Sequence, residues 1–329
     1  MPAARPKILI TMGCPAGIGP EIVLKALGHP EVYDWCRPEV VGDELLLKET
    51  AKRLGLPWPS VPIHSLTNLK GVRPGRPSAA TGQASYLYVT WAARACLQGE
   101  AEAMVTAPIS KWALSLAGVK EPGHTEILAR LTGCTRFAMM MAGERLRVVL
   151  ATIHLALSQV PQTLSLEGLG ETICLAYEAL RRDFAIDHPR LAVAALNPHA
   201  GEEGLFGDEE KRIIQPAIEL ARAKGIEASG PYPADSLFYR AAQGEFDLVV
   251  AMYHDQGLIP FKLLHFRDGV NITIGLPLIR TSVDHGTAYD LAGSGQADES
   301  SLLAAIKLAA IAARNRGRDV YGQDTSFQG

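Results

Sequence analysis

The feature that most constrains this chain is an alternation of short apolar stretches with longer stretches of helical spacing. The apolar stretches are KILIT (7–11), EVVG (39–42), EAMVTA (102–107), RVVLATIH (147–154), LAVAAL (191–196), FDLVVAMY (246–253) and VNITIGL (270–276). Several are continuous apolar runs, which suits parallel strands covered on both faces. Helical patterns fall at 20–28, 44–54, 82–98, 110–117, 167–184, 208–224 and 301–315. In 208–224, Asp208 is placed to cap, Glu209 and Glu210 suit the first turn, and Gly225 is the stop. Strand–helix alternation of this kind predicts an α/β fold with helices on both sides of the sheet. A length of 329 residues suggests about two domains at roughly 150 residues each. The Pro-, Gly- and Ser-rich stretch 58–82 reads as a long loop within a domain.

Composition then removes several classes of function. The net charge is -3, so no basic field points to nucleic acid, and any small anionic ligand must be held by local cations. No apolar run approaches the roughly 20 residues of a membrane span. The N-terminus MPAARPKILIT lacks the apolar core of a signal peptide. Cys14, Cys36, Cys96, Cys134 and Cys174 are widely spaced and odd in number, as expected for reduced thiols in a cytoplasmic protein.

Three of the apolar runs share an ending. VVLATIH, LAVAALNPH and LVVAMYH deliver His154, His199 and His254 at or just past the carboxyl end of a strand. Ligands of open α/β sheets bind beyond those ends. One histidine near a turn is ordinarily structural. Three in the same relation to three strands raise a second reading, a divalent metal site of three neutral imidazoles with open positions for substrate, taking zinc, manganese, cobalt or magnesium. Each imidazole would then need an acceptor for its other N–H. Asp255 adjoins His254 and is not expected to serve it automatically, so that acceptor stays unassigned.

Cations and glycines add to the picture. Arg280 lies in VNITIGLPLIRTSVDHGTAYDLAGSGQAD (270–298), beside Asn271, Thr281, Ser282, Asp284 and His285, and its fork suits a carboxylate or phosphate. Lys262 could hold the same anion, or carry a proton if its pKa is lowered. His124 and Thr125 precede a helical pattern in EPGHTEILARLTG, where Thr125 reads as an N-cap and the helix N-terminus as an anion site. ILITMGCPAGIGPEIVLKAL is strand, glycine-rich turn and helix, but Gly13, Gly17 and Gly19 match neither the dinucleotide fingerprint nor the P-loop.

Together, GCPAGIGPE, GHTE, LNPHAGE, YHDQG with Lys262 downstream, and VNITIGLP…RTSVDHGTA resemble the 4-hydroxythreonine-4-phosphate dehydrogenases of pyridoxal phosphate biosynthesis, from about Ile8 to Leu308. The resemblance implies two α/β/α domains with a cleft between them, as in isocitrate and isopropylmalate dehydrogenases, divided as 1–122 plus 273–329 and 123–272. It implies a homodimer with the active site near the dimer interface, His154, His199 and His254 as metal ligands, and His124, Thr125, Lys262, Asn271 and Arg280 as substrate contacts. Lys262, or alternatively Asp235 in YPADSLF, would be the base. His285, Gly286, Thr287 and Asp290 would form the adenine-side loop for NAD or NADP without a Rossmann fingerprint.

Cys14 departs from the acidic residue common at its position, and GLIPFKLLHFRDG differs in length or detail from well-known members. Relatives that oxidise 4-phosphothreonate or 4-phosphoerythronate share the same catalytic set. Two rivals stand beside this reading: a phosphate acyltransferase on a related fold, which needs no metal site, and a non-catalytic binding protein that kept the scaffold.

Overall fold

The computed structural model describes residues 5–322. The chain divides into two compact units, one of Met1–Thr135 with Leu276–Gly329 and the other of Arg136–Gly275. The first crossing falls after Thr135, where the sequence reading placed it at 122/123, so His124 and Thr125 belong to the first unit.

The first unit holds β1 (Lys7–Thr11), β2 (Arg37–Gly42), β3 (Ile63–Ser65), β4 (Ala103–Thr106) and β11 (Ile279–Val283). Their order is β3-β2-β1-β4-β11, every pair parallel. Ile8, Ile10, Met104 and Val105 are fully buried, as a strand covered on both faces requires. Helix Glu44–Leu54 follows its sequence signals: Asp43 accepts the Leu46 N–H at 3.0 Å, and Gly55 closes it at φ 65°. Helix Ala79–Leu97 opens with a reciprocal cap between Ser78 and Thr81.

The second unit holds β5 (Ala138–Ala142), β6 (Arg147–Leu150), β7 (Leu191–Ala194), β8 (Ala228–Tyr232), β9 (Leu248–Ala251) and β10 (Val270–Ile274). Their order is β10-β5-β6-β9-β7-β8. β5 pairs antiparallel with both β10 and β6; β6, β9, β7 and β8 run parallel. The three strands that end in histidine, β6, β9 and β7, are therefore adjacent and point the same way. Their cluster of Val148, Leu150, Ala192, Ala194, Val249 and Ala251 is buried against Leu237, Leu258 and Phe261.

Several elements were hidden in the sequence. β5 reads AMMMA, with no β-branched residue to mark it. β8 contains Pro231, which is tolerated because β8 is the last strand of the order. Helix His254–His265 carries Gly257 and Pro260, both helix-breaking signals. Gly257 is there for contact: a Cβ on it would lie 2.7 Å from Val148 Cγ1 and 2.8 Å from Leu150 Cδ2. Two local expectations are corrected. The stretch 208–224 begins with a π-turn, Glu210–Ile214, before the α-helix Gln215–Ala223. The N-cap of helix His124–Thr132 is Gly123, so Thr125 is its second residue and caps nothing.

Candidate active site

In the second unit the tips of β6, β9 and β7 are laced by side chains. Thr152 Oγ1 donates to the Met252 carbonyl at 2.7 Å. Gln256 accepts the Met252 N–H at 2.7 Å and donates to the Ala195 carbonyl at 2.7 Å. One amide thus ties the end of β9 to the end of β7 just as the ladder stops. Such bonds fix where the following residues emerge.

His154 and His254 emerge together. Their ring centroids are 5.8 Å apart at an interplanar angle of 37°. Thr152, Ile153, His154, Tyr253, His254 and Asp255 help line a recess of about 250 Å³. His254 opens its helix, and its Nδ1 sits 2.8 Å from Asp255 Oδ1. The neighbouring carboxylate that the sequence reading set aside is the partner of that ring nitrogen, which leaves Nε2 for a different partner. His154 is held at φ 43°, a left-handed conformation that costs a non-glycine residue free energy.

His199 is presented differently. It lies in Pro198–Gly204, where His199, Ala200, Gly201, Glu202 and Glu203 all have positive φ. Its Nδ1 is 3.4 Å from Glu202 Oε2, its ring meets Phe206 edge-on at 6.1 Å, and its side chain is exposed. Among the described residues, no three His, Cys, Asp or Glu side chains are gathered closely enough to hold a metal ion. The structure brings His154 and His254 together and leaves His199 outside that pair. The donor chemistry nonetheless fits a divalent cation: at His254 and His199 a carboxylate faces Nδ1 and leaves Nε2 for a ligand.

The other candidates of this unit are spread along its elements. Lys262 lies half-buried on the helix that begins with His254. Asn271, half-buried on β10, pairs in register with Met141 of β5. Asp235 is exposed in the first turn of helix Ala234–Ala242.

The first unit holds the anion candidates. Arg280 on β11 is 3% exposed, and its Nε and Nη2 donate to Thr106 Oγ1 at 3.1 and 2.9 Å. Burial pulls its pKa down to about 9, against the opposing pull of the nearby Glu126 carboxylate. Arginine stays charged in proteins, so an anion bound here would meet a buried cation. His124 is the first residue of its helix, and its Nε2 is shielded from water and makes no hydrogen bond among the described residues. Burial, and then the nearby Arg280, hold its pKa well below 6.5. A buried polar atom without a partner calls for one, and an anion accepting from it would lie near the Arg280 cation. Thr106 is a residue the sequence reading missed; the only signal was a threonine ending an apolar strand.

The segment 285–290 rests on the glycine-rich turn that matched no fingerprint. The Ile18 N–H donates to the Thr287 carbonyl at 3.0 Å, and a Cβ on Gly17 would meet that oxygen at 3.0 Å. Cys14 Sγ lies 3.4 Å from the Tyr289 hydroxyl, whose pKa burial pushes up to about 12. The polar role left open for position 14 is thus a contact with Tyr289. His285, Gly286 and Asp290 are exposed along this segment, and a Cβ on Gly286 would meet open space. That is an open polar edge of the kind a nucleotide can lie against.

Comparison with known proteins points to one family. The model of the pyridoxal phosphate biosynthetic protein PdxA matches residues 34–309. The 4-hydroxythreonine-4-phosphate dehydrogenase of Geobacter metallireducens is 53% identical over 335 residues, covering 96% of this chain and 98% of that protein. The D-threonate 4-phosphate dehydrogenase of Cupriavidus necator is 44% identical, covering 94% and 98%. The solved structure of the Klebsiella pneumoniae 4-hydroxythreonine-4-phosphate dehydrogenase is 43% identical with a TM-score of 0.87, covering 95% of this chain and 99% of that one. The α/β fold is shared with that structure. With a family match over most of its length and relatives above half identity across nearly all of it, this chain belongs to the PdxA family of pyridoxal phosphate biosynthetic proteins.

Proposed function

We propose that this chain oxidises the C3 hydroxyl of 4-phosphooxy-L-threonine with NAD and releases CO2 to give 3-amino-2-oxopropyl phosphate, a step toward pyridoxal 5'-phosphate. The observation that carries the reading is the buried Arg280 cation near His124, whose buried Nε2 makes no hydrogen bond among the described residues, in a chain 53% identical to a protein named for this activity.

The residues take these roles. His124, Thr125 and Arg280, with Asn271 and Lys262, hold the phosphate and carboxylate ends. That remote binding energy orients C3 for reaction. His154, His199 and His254 are the ligands of one divalent metal (zinc, magnesium, manganese or cobalt), supported by the His154–His254 pairing and the carboxylates on Nδ1 of His254 and His199. A metal held there would supply Lewis-acid polarisation of the C3 oxygen, and NAD, or NADP, held at the 285–290 segment would supply the hydride acceptor. Lys262, or alternatively Asp235, accepts the hydroxyl proton as the C3–H bond gives up its electron pair. The resulting β-keto acid breaks its C1–C2 bond, CO2 leaves, and the protonated base returns its proton to C2. His285, Gly286, Thr287 and Asp290 are the cofactor-side residues, with Gly17 and Ile18 backing the segment.

The working form is a homodimer. Ile259, Leu263 and Phe266 are 67%, 84% and 79% exposed, spaced i, i+4 and i+7 along the helix of His254 and Lys262 and its C-cap. A second copy covering this stripe places the interface beside the catalytic helix. The described free cysteines suit a reducing, cytoplasmic setting, and no helix among the described residues is long and apolar enough to cross a membrane.

The 44% identity to D-threonate 4-phosphate dehydrogenase supports a second reading, in which the C2 amine is replaced by a hydroxyl. NADH formation with 4-phosphooxy-L-threonine, 4-phosphothreonate and 4-phosphoerythronate separates them. The highest kcat/KM is expected for the first. A preference for 4-phosphothreonate moves the assignment to the second. Absence of NADH with all three, despite binding, leaves the chain a binding protein.

A further inference from the structure

We propose that Glu210 is the positioning residue for His199, a buried carboxylate that sets the loop on which that ligand is presented; the inference rests on reading His199 as a metal ligand. Glu210 is 4% exposed. Its Oε1 accepts the N–H groups of Leu196 and Asn197 at 2.9 and 2.8 Å, and its Oε2 accepts from Asn197 Nδ2 at 2.9 Å. These donors come just after β7 ends at Ala194, so the carboxylate takes over backbone bonding where the sheet gives it up. Asn197 Nδ2 also reaches Glu209 Oε2 at 2.7 Å.

The loop is shaped around this group. A Cβ on Gly201 would lie 2.8 Å from Glu210 Oε2, and one on Gly207 would lie 2.4 Å from Asn197 Nδ2. Gly201 is the third of the five consecutive left-handed residues that begin at His199. Glu210 itself opens the π-turn Glu210–Ile214, and single π-turns concentrate at functional sites.

The nearby cations are engaged elsewhere: Lys211 pairs with Glu203 at 2.9 Å and Arg212 with Asp208 at 3.5 Å. Glu210 is therefore a buried anion held by N–H donors, with no ion pair among the described residues. A buried charge is expensive, and an amide of the same shape would relieve that cost. The amide fails on geometry. Glutamine would set an NH2 group against the Asn197 amide donor, so only an acceptor with no hydrogen satisfies the three converging donors. The charge is kept because the loop before His199 needs it.

The test titrates the metal-free full-length protein with Zn2+ in competition with a chromogenic chelator. It compares wild type, Glu210→Gln, His199→Ala and the double variant, with melting temperature and binding of inorganic phosphate as controls. Glu210→Gln is expected to weaken Zn2+ binding ~10–100-fold, as loss of a ligand-orienting group does, while phosphate binding is kept. In the His199→Ala background the same change is expected to add less than about twofold, because both act through one ligand. A residue that only supports the fold would weaken the double variant by the full additional factor, and that result overturns the proposal. Zn2+ affinity of Glu210→Gln within twofold of wild type, with His199→Ala weakened, also overturns it and leaves the ligand reading standing. Undiminished affinity in His199→Ala instead removes the ligand reading. If Glu210→Gln does not fold, Asn197→Ala, which deletes one of the three donors, is measured in the same cycle against the same criteria.

Discussion

Lowering the pH should cost this protein stability through His124, by an amount that follows from its surroundings. Burial and Arg280 hold the folded-state pKa well below 6.5, and its Nε2 lacks a hydrogen bond among the described residues. In the unfolded chain the imidazole protonates normally, so below about 6.5 the unfolded state binds a proton that the folded state refuses. Stability from this group is thus fully present at neutral pH and falls as the pH drops below the unfolded value, until the folded pKa is reached. Between about pH 7.5 and about pH 5.5 the loss integrates to about 1.4 kcal/mol. The assay is urea unfolding of wild type and His124→Gln at both pH values, because the other histidines cancel in the difference. The variant should lose about 1.4 kcal/mol less than wild type on acidification. Saturating inorganic phosphate should shrink the wild-type loss by giving the protonated ring an anionic partner. An identical loss in both proteins would refute the claim that His124 is held neutral.

Three further outcomes follow from the same geometry. Arg280→Ala should lower kcat/KM for the phosphorylated substrate about 10- to 150-fold, the value of roughly 1.5–3 kcal/mol for a charged hydrogen-bonded contact; a loss below threefold argues against direct anion contact. Gly17→Ala places a Cβ 3.0 Å from the Thr287 carbonyl and should raise KM for NAD with the phosphorylated substrate held at saturation; an unchanged KM would separate the 285–290 segment from the cofactor. Leu263→Lys, at a position 84% exposed in the apolar stripe, should shift sedimentation from two copies to one; an unaltered dimer moves the interface elsewhere.

What the sequence disclosed depends on how each element is stabilised. β6, β7 and β9 are buried parallel strands, and their apolar runs announce them without help from any partner. Helix Glu44–Leu54 was legible to the residue because its cap and its stop are both local. β5, β8 and the helix His254–His265 were not, because tertiary packing overrides their local signals, as the fit of Gly257 against Val148 and Leu150 shows. The strand-end histidines could be read individually, and the adjacency of β6, β9 and β7 came only from the sheet order. Thr106, Gln256 and Glu210 were illegible as site residues. Each acts by bonding a group distant in sequence, and Glu210 had the local appearance of an ordinary acid in a helix's first turn. The glycine-rich turn matched neither the dinucleotide fingerprint nor the P-loop, and the close approach that Gly17 makes is to Thr287 of the same chain.

The central claim is metal-assisted oxidation of a phosphorylated hydroxy acid, and its most direct measurement is NADH formation from 4-phosphooxy-L-threonine by protein stripped with chelator, before and after Zn2+, Mg2+, Mn2+ or Co2+ is returned. The account predicts negligible turnover in the stripped protein, recovery with at least one of these ions, and no recovery in His254→Ala. Full-rate NADH formation by the metal-free protein would contradict it.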